Sequence, residues 1–209
     1  MRTRDGGSRS EVFVPAARLE RWVENFRARH GASILSVEGS SLVGSAEDGS
    51  SFSASLPFSV PYGGPAEVPA FAESCLPPDD WGILLVRKGG FAVARLNGSA
   101  YVDSKVGQRH VQGRTKAGGQ SQQRFARRRD NQARVAYEAA AEHAARIVAT
   151  APVLVVGGDA AAVDAVLADA RLRRTQVVGA FLTVPDPRRA VLEEAVLDAC
   201  SARMSVTNA

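Results

Sequence analysis

Apolar positions along this chain change their spacing several times, and each change marks an expected element. Leu19, Trp22, Val23 and Phe26 recur at three- and four-residue intervals behind Pro15, and Gly31 follows, which predicts a helix over Pro15–His30. β-rich runs then predict short strands at Ser33–Val37, Leu42–Ala46 and Ser51–Leu56, with Gly39-Ser40-Ser41 and Asp48-Gly49 as the turns. Residues 57–78 hold six of the ten prolines together with Gly63-Gly64. Proline suits neither a helix interior nor a central strand, so this stretch reads as an extended surface connection.

From Trp81 onward the pattern is clearer. Gly82–Arg87 and Phe91–Asn97 flank Lys88-Gly89-Gly90, a hairpin signal, and Ala100–Val106 follows the Asn97-Gly98 turn. A glycine-rich loop over Gly107–Gly119 leads into one long helix over Gln122–Ala149, stopped by Pro152. Val153–Val156 is an apolar run of the buried parallel kind, and Gly157-Gly158-Asp159 opens a helix with Val163, Val166 and Leu167 inward. Gln176–Leu182 reads as a last strand. Arg188–Arg203 reads as a closing helix, with Val191, Leu192, Ala195, Val196 and Ala199 as its stripe. The expected class is therefore α/β (α+β), a mixed sheet of ribonuclease-H-like β-β-β-α-β-α-β-α order behind a small N-terminal helix and strand region. The expected division is a disordered tail over 1–10, an N-terminal region over 11–78 and a main domain over 79–209.

The long helix has two unlike halves. From Gln122 to Arg134 only Phe125, Ala126 and Ala133 are apolar. Val135, Ala136, Ala139, Ala140, Ala144, Ile147 and Val148 then supply a packing stripe. The second half can dock on a sheet and the first has little to dock with, so a basic stalk ending in a glycine loop is the expected shape.

Composition places the chain among globular proteins: 209 residues, 45% hydrophobic and 23% charged, are enough to bury a core without metal or disulfide. No run of apolar residues is long enough to span a membrane, and Met1–Ser10 is polar, without the apolar run of a secretory signal. Cys75 and Cys200 stand far apart, which argues against a zinc site or a disulfide framework. A cytoplasmic protein is the expectation. The net charge of +4 conceals an uneven distribution. Residues 105–134 carry nine Lys and Arg against the single acid Asp130, so this segment is +8 and the remainder −4. A concentrated basic element on a mildly acidic body points to nucleic acid as partner, the plainer alternative being a solvated charged helix.

Several chemistries lack their residues. Gly107 to Thr115 imitates a phosphate-binding loop, but its spacing is one residue too long and Arg114 stands in place of the lysine. There is no G-x-S-x-G nucleophile elbow, and His30, His110 and His143 have no metal-ligand spacing. Glu38, Asp103, Asp159 and Asp164 do not form the acidic cluster of a two-metal nuclease. Only Phe125 among the aromatics lies in the basic segment, so base stacking there is not expected. No cofactor or metal is called for.

What remains is Gly118-Gly119-Gln120, followed by Ser121-Gln122-Gln123-Arg124-Phe125-Ala126-Arg127-Arg128-Arg129. Paired glycines let a backbone approach a ligand closely. The amide of Gln120 does not titrate, so it can only position a nucleophile or donate hydrogen bonds. A place at a helix N-terminus adds oriented amides and a field that favours developing negative charge. Such a group suits ester hydrolysis driven by orientation and charge stabilisation.

This segment resembles the catalytic loop and following helix of the middle domain of eukaryotic and archaeal class-1 peptide release factors. Gly118–Ser121 and Arg124–Arg127 match the shared GGQS and R-F-A-R, although Thr115-Lys116-Ala117 lengthen the loop after Gly113-Arg114. Nothing is similar to the stop-codon-reading domain, and the chain is more similar to VLRF-type release factors, relatives of the eukaryotic ribosome-quality-control hydrolase. The resemblance covers about residues 81–206 and implies a release-factor-like GGQ domain that hydrolyses peptidyl-tRNA whatever the codon, on stalled ribosomes or large subunits. It implies catalytic roles for Gly118, Gly119 and Gln120. Arg109, His110, Arg114, Lys116, Ser121, Arg124, Arg127, Arg128, Arg129 and Arg134 would contact rRNA of the large subunit or peptidyl-tRNA. Taken by itself, His110 is either a phosphate contact or a solvated side chain. The protein would act as a monomer away from membranes. A ribosome-associated factor that binds rRNA or tRNA without catalysis is the alternative reading, with an RNA endonuclease third.

Overall fold

The computed structural model describes the backbone of residues 9–108 and 120–209, and the side chains of 10–107 and 134–209. The chain divides into two compact units: residues up to Pro77 together with Leu197–Ala209, and residues Pro78–Val196.

The first unit is a five-stranded antiparallel sheet with two helices. Its strands are β1 (Arg9–Val14), β2 (Ser33–Glu38), β3 (Ser41–Ala46), β4 (Ser51–Ser55) and β10 (Ala202–Thr207), in the order β1-β10-β4-β3-β2. The helices are α1 (Leu19–His30) and the short α2 (Val68–Glu73). Leu19, Val23 and Phe26 of α1 are buried with Leu42, Phe52, Ala54, Met204 and Val206 of the sheet, and with Val68 and Phe71 of α2. The phenyl ring of Phe52 lies over Gly44 of the neighbouring strand, where a Cβ would stand 2.2 Å from the ring.

Three expectations change here. Arg9 and Ser10, expected in a disordered tail, begin β1, while residues 1–8 lie outside those described. The proline-rich stretch is not wholly extended: α2 forms with Pro69 in its first turn, where the missing N–H would have had no helical partner anyway. Phe58, Tyr62 and Phe71 of that stretch are buried rather than displayed. Finally, the closing helix stops at Ala199, and the residues beyond it form β10, hydrogen-bonded to β1 on one side and β4 on the other. Residues 197–209, expected to go with 79–209, therefore belong to the first unit. The alternation of buried Ala202, Met204 and Val206 with exposed or half-buried Arg203, Ser205 and Thr207 is a strand period, too short to outweigh the helical stripe before it.

The second unit is a mixed sheet in the order β7-β6-β5-β8-β9. The antiparallel meander comprises β5 (Trp81–Arg87), β6 (Gly90–Asn97) and β7 (Ala100–Gln108). After α3 (Gln120–Val148), β8 (Val153–Gly158) pairs parallel with β5, and β9 (Gln176–Val177) parallel with β8. α4 (Ala160–Leu167) lies between these two strands in sequence and α5 (Arg189–Ala199) follows them. The element order thus reads β-β-β-α-β-α-β-α. The expected strand over Gln176–Leu182 is reduced to two residues and an isolated bridge from Leu182 to Gly157. Gly179, at φ 77°, turns the chain out of extended geometry between them.

Candidate functional site

Among the described residues, α3 enters the second core along its C-terminal part. Ala140, Ala141, Ala144, Ile147 and Val148 are buried against Leu84, Val86, Phe91 and Val93 of the meander and Ala162, Val163 and Val166 of α4. Burying this stripe stabilises the attachment by roughly 0.8 kcal/mol per methylene removed from water. Gly82 lets the end of the helix come close: a Cβ there would lie 2.7 Å from Val148 Cγ1. The expected packing stripe starts too early. Val135 and Ala139 are exposed and Ala136 is only half-buried, whereas Tyr137 packs against the core and Ala140 is the first fully buried residue of α3 among those described. Helical spacing marks a face but not how far along it the sheet reaches.

The strand feeding the loop is held as firmly. Gly107 of β7 stands opposite Phe91 of β6, and a Cβ at Gly107 would be 2.3 Å from the Phe91 ring. That ring stacks on His143 of α3 with centroids 5.4 Å apart and planes at 26°. Asp103 of β7 accepts a hydrogen bond from Arg146 of α3 at 2.9 Å, and Arg189 reaches Ser104 from α5. Strand β7 and helix α3 are thus joined to one another by side chains of both. No sequence period announces the Gly107–Phe91–His143 stack, because it needs the register of two strands and the phase of a helix together.

Gln120 is the first residue of α3, with Ser121, Arg124, Arg127, Arg128, Arg129 and Arg134 further along the same helix. Gly118, Gly119, Arg109, His110, Arg114 and Lys116 lie outside the described residues, as do the side chains of Gln120 through Ala133. Arg134 is exposed and donates to Glu138 one turn on, so part of its charge is already engaged. The first backbone N–H groups of a helix have no partner within it, and the N-terminal end carries partial positive charge. Gln120 occupies that end.

A cavity of about 660 Å³ lies beside α3, between Tyr137 and Ala141 on one side and Ala165 of α4 on the other. Arg171 at its edge is paired with Glu142 at 2.9 Å and Asp169 at 2.8 Å. Hydrogen bonds from the Arg171 side chain and then its backbone amide hold Asp169 down at about 2. Burial, with a smaller contribution from Asp159, raises the Tyr137 phenol.

The carboxylates considered for metal chemistry are spread among separate tasks. Glu38 accepts from Ser36 in the first unit, Asp103 is paired with Arg146, and Asp159 caps α4 by accepting from Ala161 N–H at 3.1 Å. Among the described residues no group of three or more His, Cys, Asp and Glu is placed to hold a metal ion. Both cysteines are free, and burial pushes each thiol up to about 11, away from the reactive thiolate. No helix among the described residues is long and apolar enough to cross a membrane.

The segment that builds this arrangement, residues 79–205, matches the family model of the actinobacterial and chloroflexal VLRF1 release factor. The chain belongs to that release factor family. The match starts just ahead of β5, takes in the meander, α3, β8 and α4, and ends within β10. No curated protein matches this member of the family. Among solved structures it is similar to the mitochondrial localization core of Vms1, at 12% identity over 89% of this chain and 81% of that one, with a TM-score of 0.42. It is also similar to Pelota of Archaeoglobus fulgidus, at 12% identity over 95% of this chain and 65% of that one, with a TM-score of 0.27.

Proposed function

We propose that this release factor hydrolyses the ester between a nascent peptide and tRNA on stalled ribosomes or large subunits, without reading a codon. One observation carries the reading: Gln120 of the Gly-Gly-Gln run opens α3, inside the matched segment. Water attacks the ester carbonyl carbon and the bond to the tRNA 3′-oxygen breaks. That oxygen leaves with one proton of the water, the peptide leaves as a carboxylate, and the second proton passes to solvent.

The Gln120 amide cannot take up the proton of the attacking water. It orients that water, while backbone N–H groups at the start of α3 stabilise the charge that develops on oxygen. Gly118 and Gly119 leave the backbone free of side chains at the point of closest approach. The basic residues at 109–134 grip rRNA and tRNA phosphates and bring the loop to the peptidyl-transferase centre. Anchoring along Ala140–Val148 leaves the earlier turns of α3 for this task, and the exposure of Arg134, Val135, Glu138 and Ala139 supports that division. The protein acts in the cytoplasm as a monomer, with residues 79–205 carrying the activity.

The test is release of peptide from peptidyl-tRNA on stalled ribosomes or large subunits by wild type and Gln120→Ala. Removing one oriented hydrogen-bonding group of this kind lowers rate about 10²–10³-fold, and binding should persist. Release that survives in Gln120→Ala removes the catalytic assignment. Ribosome binding by wild type without any release favours the non-catalytic factor, and a cleaved RNA backbone favours a nuclease.

A further inference from the structure

The first unit contains a second cavity, of about 330 Å³, between α1 and the edge of its sheet. Its floor is made by Val12 of β1 and Val206 of β10, and its wall by Trp22 and Phe26 of α1. The Phe52 ring, on the middle strand β4, lies over Gly44 of β3, on the side of the sheet away from β10 and β1.

The lining is unlike that of a packing defect. Trp22, Phe26 and His30 recur every four residues along α1 and form an aromatic ladder: Trp22 stacks on Phe26 at 5.8 Å and 11°, and Phe26 meets His30 at 4.6 Å. Phe52 meets the edges of both Trp22 and Phe26, so those two rings are fixed from below. His30 is fixed by its own partner, with Nδ1 2.9 Å from Asp48. Beside the ladder stand Asn25 and Arg29 of α1 and Asn208 beyond β10, all exposed. No carboxylate among the described residues is paired with the Arg29 guanidinium. A rigid aromatic wall, two amides and a guanidinium with no carboxylate partner among the described residues meet in one small concavity.

We infer that this cavity binds a nucleotide, with its base against Trp22 and its phosphate at Arg29. Each part has a matching requirement. A tryptophan face held in place supplies base stacking worth about 1–3 kcal/mol. Asn25 and Asn208 each offer a donor and an acceptor to a base edge. Arg29 supplies a planar donor fork for phosphate. The volume lies at the small end of ligand sites, room for one nucleotide and not for a duplex. The ligand is either a free mononucleotide or one unstacked base of single-stranded RNA, which present the same chemistry. The site lies wholly in the first unit, outside the release-factor match for all its α1 and β1 residues.

The chain's own tryptophans report on it. Trp22 lines the cavity, and Trp81, the only other tryptophan, is fully buried in the second unit. Full-length protein titrated with AMP, UMP and a ten-nucleotide single-stranded RNA should show quenching of Trp22 fluorescence, absent in Trp22→Phe. Arg29→Glu and Asn25→Ala change exposed side chains and should keep the circular dichroism of wild type. Arg29→Glu should weaken mononucleotide binding about tenfold or more, as loss of a charged phosphate contact requires. Quenching by AMP or UMP identifies a free nucleotide as sufficient, and quenching by the oligonucleotide alone identifies an RNA base. No quenching by any of the three, or equal quenching in Arg29→Glu, overturns the inference. Gln120→Ala should bind these probes like wild type, so failure here and failure of the release reading are separately visible.

Discussion

Val148, at the end of α3, sits so close to Gly82 of β5 that a Cβ on Gly82 would be 2.7 Å from its Cγ1 and 3.0 Å from Leu154 Cδ1. The long helix is seated on the sheet at this contact, a full helix length from Gln120. Gly82→Val should push the end of α3 from the sheet and destabilise the second unit by about 1–3 kcal/mol, the usual effect of overpacking. Urea unfolding followed by circular dichroism measures this. An unchanged midpoint would show that the helix is seated elsewhere.

Gly107→Ala places a Cβ 2.3 Å from the Phe91 ring, which already stacks on His143. The ring must move, and a loss of about 1–3 kcal/mol is expected. Peptide release should fall further than ribosome binding, because β7 and α3 would no longer be held in one register at the base of the loop. Parallel release and binding assays on this variant decide the matter.

Reversing Arg127, Arg128 and Arg129 to Glu should weaken ribosome affinity and flatten its salt dependence. Each phosphate contact removed lowers the slope of log K against log salt by about 0.7–0.9. Affinity measured across a salt series is the check, and an unaltered slope would mean these arginines face solvent.

Asp169 is held at about 2 by Arg171, against an ordinary value of 3.8. A carboxylate lowered in the folded state contributes stability that is complete above 3.8 and disappears as pH falls through about 2. Wild type should therefore lose more stability than Asp169→Asn across that interval, and no more than it at neutral pH. Because this pair is exposed, the difference should be small and should shrink further in salt. Denaturant midpoints at acid and neutral pH, with and without salt, would reveal it.

Ending the chain at Ser201 should unfold the first unit while leaving the second. Strand β10 lies between β1 and β4, so its loss breaks two ladders and removes buried Ala202, Met204 and Val206. Loss of β-sheet signal and protease sensitivity confined to residues before Pro77 is the expected result.

What was legible in the chain depended on how local the cause is. The β-rich runs Gly82–Arg87 and Phe91–Asn97 flank Lys88-Gly89-Gly90 closely enough to read as a hairpin, and β5 and β6 form there. α1, α3 and α4 show their apolar spacing or their caps within a few residues. β10 was hidden because its period covers only six residues behind a strong helical stripe. α2 was hidden because Pro69 reads as a breaker until its place in the first turn is known. Trp22 and Phe26 show in the sequence as helical spacing, but the stacking with His30 and the cavity beside it do not, since these depend on how α1 lies against β1 and β10.

By itself the sequence determined the chemistry available: the uncharged Gln120 behind two glycines, the +8 charge concentrated in residues 105–134, and the split of the long helix into polar and apolar parts. These follow from side-chain identity and short-range period, which need no partner. The tertiary structure alone decided where the helix is anchored, which side chains tie β7 to α3, and that the last strand returns to the first sheet. Those outcomes depend on pairing between residues distant in sequence, such as Val148 with Gly82 and Met204 with Ala54, and such register is set only when the surfaces meet.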